Sequence, residues 1–382
     1  MPLSLIAASM GPLNVQRAPA SQSVAKANNS FGVKLLAALG AGQGENTLIS
    51  PISVSSNLRL LLAGTQGSTY KTLAKTLELS SLSLGQILSG SRDLSTQLSN
   101  SGDAKVTIAN SLWLAPRLVL SPSYQKVSKD DFEANSQPLQ GVGETGAAQI
   151  NRWVSDHTRQ RITQLFSTIP SDSVLVLANA VTFDGQWQDK FLSKDTHFQP
   201  FHGSKGDTTV KTMTRTGAIE SASQGGAQFI RLPYHGHFSL WIALPGPKAD
   251  PGRFVKALQI PPKVSASECK LFLPKFSFSD EHQLKAPLSQ LGMGRLFVRA
   301  DFTGISPDPR LGRITEVVHK TFIKVDEEGT EAAAATGAII SPTAIRMEPK
   351  LQEIRIDHPF ALAIRDDATG TILFEGVVRN LN

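Results

Sequence analysis

The chain is short of cysteine, of charge and of long apolar runs. Cys269 is the only cysteine in 382 residues. No intrachain disulfide can form, so stability does not depend on an oxidising compartment, and the thiol reads as a small, partly buried hydrophobe. Charged residues make up 18% of the chain, below the usual quarter. The net charge of +6, spread over this length, is a mild basic excess. No cluster of basic residues with interleaved aromatics occurs, which argues against a nucleic-acid partner. No apolar run approaches the roughly 20 residues of a membrane-spanning helix, so no membrane partner is expected. A Gly-x-Ser-x-Gly elbow, a His-Glu-x-x-His zinc motif and a P-loop are all missing. The eight histidines show no metal-ligand spacing. No catalytic residue, metal or cofactor is therefore expected, and the chain does not read as an enzyme. Its start, Met-Pro-Leu-Ser-Leu-Ile-Ala-Ala-Ser, lacks the basic n-region of a secretory signal. A trimmed chain with an added Met would look the same, so the location stays open between extracellular, cell-envelope and cytoplasmic.

What is present is a substantial core: 40% of the residues are hydrophobic. Residues 1–28, rich in Ala, Ser, Pro and Asn, read as a tail, and 29–382 as a single domain with no internal repeat. Asn28-Asn29-Ser30 is a formal glycosylation sequon, and a helix is expected from Ser30. A short strand reaches Ser50, and Pro51 opens a helix whose Leu58, Leu60, Leu61 and Leu62 predict deep burial. Val106 to Leu114 alternates as a strand. Ile150 to Phe166 has helical spacing, with Asn151 as its polar member. Val174 to Phe183 is a β-rich run for a strand buried on both faces. Asn179 interrupts that run and must be hydrogen-bonded. Residues 196–247 are dense in strands, and the chain after His358 is β-rich again. Strand-dense sequence after helix-dense sequence argues for an α+β fold.

The most unusual stretch runs from Lys324 to Arg346. An apolar, β-favouring segment ends at Val325, three acids follow, and Gly329 allows a change of direction. Residues 330–341 are nearly all small, and Pro342 closes the run. Four consecutive alanines favour helix, and a small-residue run also suits a linker. A third reading is a segment able to become a strand. Its side chains would then alternate between faces: Thr330, Ala332, Ala334, Thr336 and Ala338 on one, and Glu331, Ala333, Ala335, Gly337 and Ile339 on the other. The first face carries no charge and no bulk. Pro342 cannot donate to a central ladder, so insertion would stop there. The residues alone leave these readings open.

At Glu327, Gly329, Thr330, Glu331, Ala332, Ala333, Ala334 and Ala335 the chain resembles the hinge of the reactive loop of an inhibitory serpin. Other matches follow in the family's order. They are Asn46, Ser50, Pro51, Ser53, Gly64 and Thr69; Asn110 and Trp113; Phe183, Gly185, Trp187 and Phe191; Leu273 to Phe276; and Gly370, Leu373, Phe374, Gly376, Val378 and Asn380. The resemblance covers residues 30–382.

It implies a serpin fold of three β-sheets with eight or nine helices and an exposed reactive loop at about 328–350. It also implies a metastable monomer, prone to loop–sheet polymers, that traps a serine protease in a covalent 1:1 complex. In this reading Ser53, Asn179 and His319 form a hydrogen-bonded group behind the sheet opening. Ser50 and Trp187 belong to the same shutter and gate, Asn151 lies in the cluster beneath the large sheet, and Lys275 pairs with Glu327 where the loop enters. The family spacing, counted from Glu327, puts the scissile bond at Thr343–Ala344, which suits an elastase- or subtilisin-like target. The far side of the loop is several residues longer than usual, which leaves Ile345, Arg346 and Met347 as alternatives, Arg346 implying a trypsin-like target. Only Arg92 is basic in residues 79–102, so no glycosaminoglycan site is expected. A non-inhibitory serpin, acting as chaperone or carrier, is the rival reading. Bulky or charged residues in the hinge would favour it, and Thr330 to Ala335 include only Glu331, on the outward face.

Overall fold

Serines start three of the helices, because a hydroxyl satisfies one of the amides left open at a helix N-terminus. Ser50 caps Pro51–Ala63, Ser121 caps Pro122–Phe132, and Ser83 forms a reciprocal capping box with Gln86 at the head of Leu84–Ser99. In this computed structural model, which describes residues 19–40, 44–100, 104–330 and 351–382, the helices are α1 Pro19–Ala38, α2 Pro51–Ala63, α3 Gly67–Thr76, α4 Leu84–Ser99, α5 Pro122–Phe132 and α6 Gly143–His157. A 3-10 helix at Pro251–Gln259 and a kinked helical stretch over 285–297 follow. The strands are β1 Thr47–Ile49, β2 Lys105–Leu114, β3 Asn135–Pro138, β4 Leu175–Gln186, β5 Thr196–Gly203, β6 Gly206–Gln224, β7 Ala227–Pro233, β8 Phe238–Pro245, β9 Ser265–Pro274, β10 Phe276–Gln283, β11 Glu316–Val325, β12 Gly329–Thr330, β13 Gln352–Arg355, β14 Phe360–Asp366 and β15 Ile372–Val378.

Two hydrogen-bonded networks result. The six-stranded sheet has the order β10-β11-β12-β4-β2-β3. The nine-stranded one runs β1-β15-β14-β8-β7-β6-β9-β13, with β5 on β6. The long β6 pairs with β5 through its first half, with β7 through its last residues, and with β9 between. It joins two of the three expected sheets into one ladder. The α+β serpin architecture holds.

The helix expected at Ser30 starts at Pro19 instead. Ser21, Val24, Ala25, Asn28, Phe31 and Leu35 are all buried at the three- and four-residue spacing of one helix face. The tail boundary at residue 28 is therefore displaced: small Ala and Ser residues made a buried helix resemble a tail. The sequon is buried with it. Asn28 is 1% exposed, accepts from the Ser55 hydroxyl and donates to the Ile372 carbonyl, so the folded chain offers no free amide there.

Two cores flank the six-stranded sheet. On β4, Leu175, Leu177, Val181 and Phe183 face the main core with α2, and Val176, Ala178 and Ala180 face a smaller core built with Ala147, Ile150 and Val154 of α6. This alternation decides which residues of β4 and β11 meet the shutter and which meet α6.

Candidate functional site: the opening between β4 and β11

Strands β4 and β11 run parallel and pair directly from Glu316↔Val176 to Thr321↔Val181. Above that point they separate, and β12 fills the gap. Thr330 pairs with Val325 of β11, and Gly329 and Thr330 pair with Gln186 and Gly185 of β4. Gly329 is needed because a Cβ there would lie 2.0 Å from the Gly185 carbonyl oxygen. Thr330 is 1% exposed, and its hydroxyl lies 2.5 Å from that of Tyr234. The first two residues of the loop thus already sit as a strand inside the sheet.

The turn before β12 is held on every side. Trp187 stacks on Tyr234 with ring centroids 4.5 Å apart. Its indole N–H donates to the Asp326 carbonyl at 2.9 Å, and its backbone N–H to that of Glu328. Each acid of the turn meets a lysine: Lys324 with Asp326, Lys275 with Glu327 and Lys190 with Glu328. Lys275 Nζ lies 2.5 Å from Glu327 Oε2, and the Thr196 hydroxyl donates to Oε1 at 2.8 Å. Burial pushes the Glu327 carboxyl up. The hydrogen bonds from Lys275 and Thr196 and the lysine's charge outweigh that and hold it below its ordinary value. Glu327 is 8% exposed and Lys275 is half-buried, so the pair is partly buried and its lysine still reaches water.

Lower down, the core-facing positions carry a polar group. His319 Nε2 accepts from the Ser50 backbone N–H at 3.0 Å. That bond requires a bare Nε2, so the proton sits on Nδ1 and is donated to Asn179 Oδ1 at 2.5 Å. The Asn179 amide donates to Ser53 Oγ and to Asn110 Oδ1, and Asn110 donates to Ser56 Oγ at 3.0 Å. Burial, with the neighbouring His282 adding repulsion, pushes the His319 imidazole down to about 3. The ring is neutral, and both its nitrogens are engaged. Ser53 bonds to Asn179, not to His319, so the three do not form a nucleophile–base pair.

Asn151 stands elsewhere. It lies on α6, on the opposite face of the sheet. There it accepts from the Leu165 and Phe166 N–H groups at 2.8 and 2.9 Å and donates to the Phe166 carbonyl. It staples the segment after α6 and touches no member of the Ser53–Asn179–His319 group. Sequence reasoning missed Tyr234, Thr196, Lys190 and Ser56 as site residues. Asn110 was legible, being a polar residue at a core-facing position of an alternating strand. Glu331, Ala332 to Ala335, Thr343, Ala344, Ile345, Arg346 and Met347 lie outside the described residues.

Comparison with known proteins agrees with this geometry. The family model described as Serpin (serine protease inhibitor) matches residues 26–381. Iripin-2 of Ixodes ricinus is 34% identical, with 93% of each chain covered. Leukocyte elastase inhibitor A of Mus musculus is 32% identical over 94% of this chain and 99% of that protein. The crystal structure of Serpin48 from Tenebrio molitor superposes with a TM-score of 0.85 at 27% identity, covering 94% of this chain and 99% of the other. A six-stranded sheet opened between parallel strands, with a short strand in the gap, is the arrangement of the serpin fold. The chain belongs to the serpin family.

Proposed function

We propose that this serpin is a suicide-substrate inhibitor of serine proteases, not an enzyme. The protease attacks the Thr343–Ala344 bond and is acylated by Thr343. The freed hinge then enters the sheet as a full strand before water can release the acyl-enzyme. The supporting observation is the pairing of Gly329 and Thr330 on both sides. If their register continues, Ala332, Ala334, Thr336 and Ala338 follow Thr330 onto the main-core face. Thr336 then falls between His319 and Asn179, at the bond that now closes the lower sheet. Small side chains fit there without overpacking. A register carried past Ile340 leaves β4 at Leu175, which agrees with Pro342 as the stop. New strand pairing and burial would supply the work, held back until cleavage by a kinetic barrier.

The relative named as a leukocyte elastase inhibitor and the small Thr343 both favour an elastase-like target. Incubation with elastase, subtilisin, chymotrypsin and trypsin, followed by denaturing gels and mass measurement of the released peptide, tests the reading. The expected result is a denaturant-stable 1:1 complex and a peptide beginning at Ala344. A trypsin complex with a peptide beginning at Met347 would keep the trap and move the bait to Arg346. Clean cleavage without any complex would replace the proposal by the carrier or chaperone reading.

A further inference from the structure

Four arginines and two aspartates line one cleft of about 520 Å3. Its walls are the start of α3, the stretch 295–303 and the loop 308–313. The buried Phe302 and Leu311 form its apolar floor, and Val298, 77% exposed, stands at its rim. The cleft lies just before β11 begins, whereas the hinge follows the end of that strand. Ten residues of β11 put roughly 33 Å between the two.

The charges in the cleft are unevenly matched. Asp308 is taken up by the fork of Arg310, with Nε 3.0 Å from Oδ1 and Nη2 2.6 Å from Oδ2. Those bonds hold its carboxyl well below the ordinary carboxylate range. Arg313 is taken up by Asp172 at 2.8 Å. Asp301 accepts from the amide and the hydroxyl of Thr303 at 3.2 and 2.7 Å. Arg295 and Arg299 are left over. Both are exposed, and neither side chain makes a hydrogen bond or ion pair among the described residues. The Arg299 N–H donates to the Arg295 carbonyl at 2.9 Å, so the two stand one helical turn apart, a spacing at which like charges repel. An anion seated between them would remove that repulsion and give each fork an acceptor. Guanidinium forks match phosphate oxygens two at a time, and a phosphate monoester carries close to the two negative charges that this pair lacks. The volume is that of a small-molecule site.

We propose that this cleft binds a small organic phosphate, its phosphate between Arg295 and Arg299 and its organic body against Val298 and the cleft floor. The site is remote from the hinge, so Arg295→Gln should inhibit protease as the parent does. A failure here leaves the inhibitory reading untouched, and the reverse.

Titration calorimetry on the full chain tests it with AMP, adenosine, inorganic phosphate and a heparin hexasaccharide. AMP is expected to bind at least tenfold more tightly than either adenosine or inorganic phosphate. Arg295→Gln and Arg299→Gln should each weaken AMP at least fivefold, and the two lysine variants, which keep the charge but lose the fork, less than that. Arg92→Gln, which removes an exposed arginine of α4, should change nothing. Equal affinity for AMP and adenosine would overturn the proposal, as would no AMP binding at all. Equal weakening by Arg92→Gln would overturn it too, by showing diffuse charge attraction instead of a site. Binding of the hexasaccharide or of inorganic phosphate without AMP would overturn it by assigning the arginines to a sulfated chain or to a free inorganic anion.

Discussion

The upper and lower halves of the β4–β11 opening are built on opposite principles. Above, the strands are already apart, with Gly329 and Thr330 between them. The turn that delivers these residues is tied by the Trp187 and Tyr234 rings and by three lysine–carboxylate pairs. Below, the strands pair directly over Glu316–Thr321 and Val176–Val181. Here the tie is a neutral hydrogen-bonded group with its members fully engaged. Charge is used where the chain can reach water, and a neutral imidazole where it cannot. A buried ion costs more than a buried, satisfied dipole. Under the proposed insertion the two halves differ in readiness: Gly329 and Thr330 already pair on both sides, while the lower strands still pair with each other.

The largest effect is expected from Thr330→Arg. It places a charge on a side chain that is buried between the two strands, at a cost of several kcal/mol. The stoichiometry of inhibition should rise until cleavage replaces complex formation, read on denaturing gels. Unchanged inhibition would sink the hinge assignment and with it the contrast between the halves.

His319→Ala attacks the lower half. It strips partners from the Ser50 N–H and Asn179 Oδ1 and leaves a cavity, for a loss of about 3 kcal/mol. The thermal midpoint at fixed scan rate should fall and heat-induced polymers should form sooner. A variant as stable as the parent would mean that the polar group does not hold the lower strands.

Acidity probes the same residue. The unfolded chain protonates His319 near its ordinary 6.5, and the folded chain only near 3. The stability this group contributes is whole above 6.5 and is lost as pH falls toward 3, by up to ~1.4 kcal/mol per pH unit. Glu375 works against it. Its carboxyl is fully buried, with both oxygens unpartnered, and burial pushes it up to about 8 from 4.5. Its contribution is whole below 4.5 and is lost as pH rises through 8. Between pH 5 and 6.5 the two slopes oppose each other by the same linkage. His319→Asn should therefore leave a stability that falls with rising pH, and Glu375→Gln one that rises. Parallel profiles for the two variants would count against this assignment.

The smallest effect is expected in the upper half. Lys275→Ala removes one of three ion pairs, and Glu327 keeps its bond from Thr196. A loss of about 1 kcal/mol is expected, with the lower-half pH profile unchanged. A larger loss, or an altered profile, would show that the halves are coupled.

Much of this was legible in the chain. The capped start at Ser50-Pro51, the alternation of Val106–Leu114 and the apolar run around Asn179 all predict elements found in place. Of the proposed hinge, only Glu327, Gly329 and Thr330 lie among the described residues. The first part of α1, before Ser30, was not legible, since Ser21, Ala25 and Asn28 share its buried face with Val24, and their burial depends on α4 and β15 packing over them. Tyr234 was not either: nothing local marks a tyrosine whose partners are Trp187 and Thr330.

By itself the sequence determined the family and the order of most elements, because periodicity and side-chain size are local properties. Only the tertiary structure decided that His319 bonds Ser50 and Asn179, that Glu327 is buried against Lys275, and that Asn151 belongs to the other face. For His319 and Asn179 the partners are chosen by strand register and by which face of β4 a residue occupies, and a shift of one residue would exchange them.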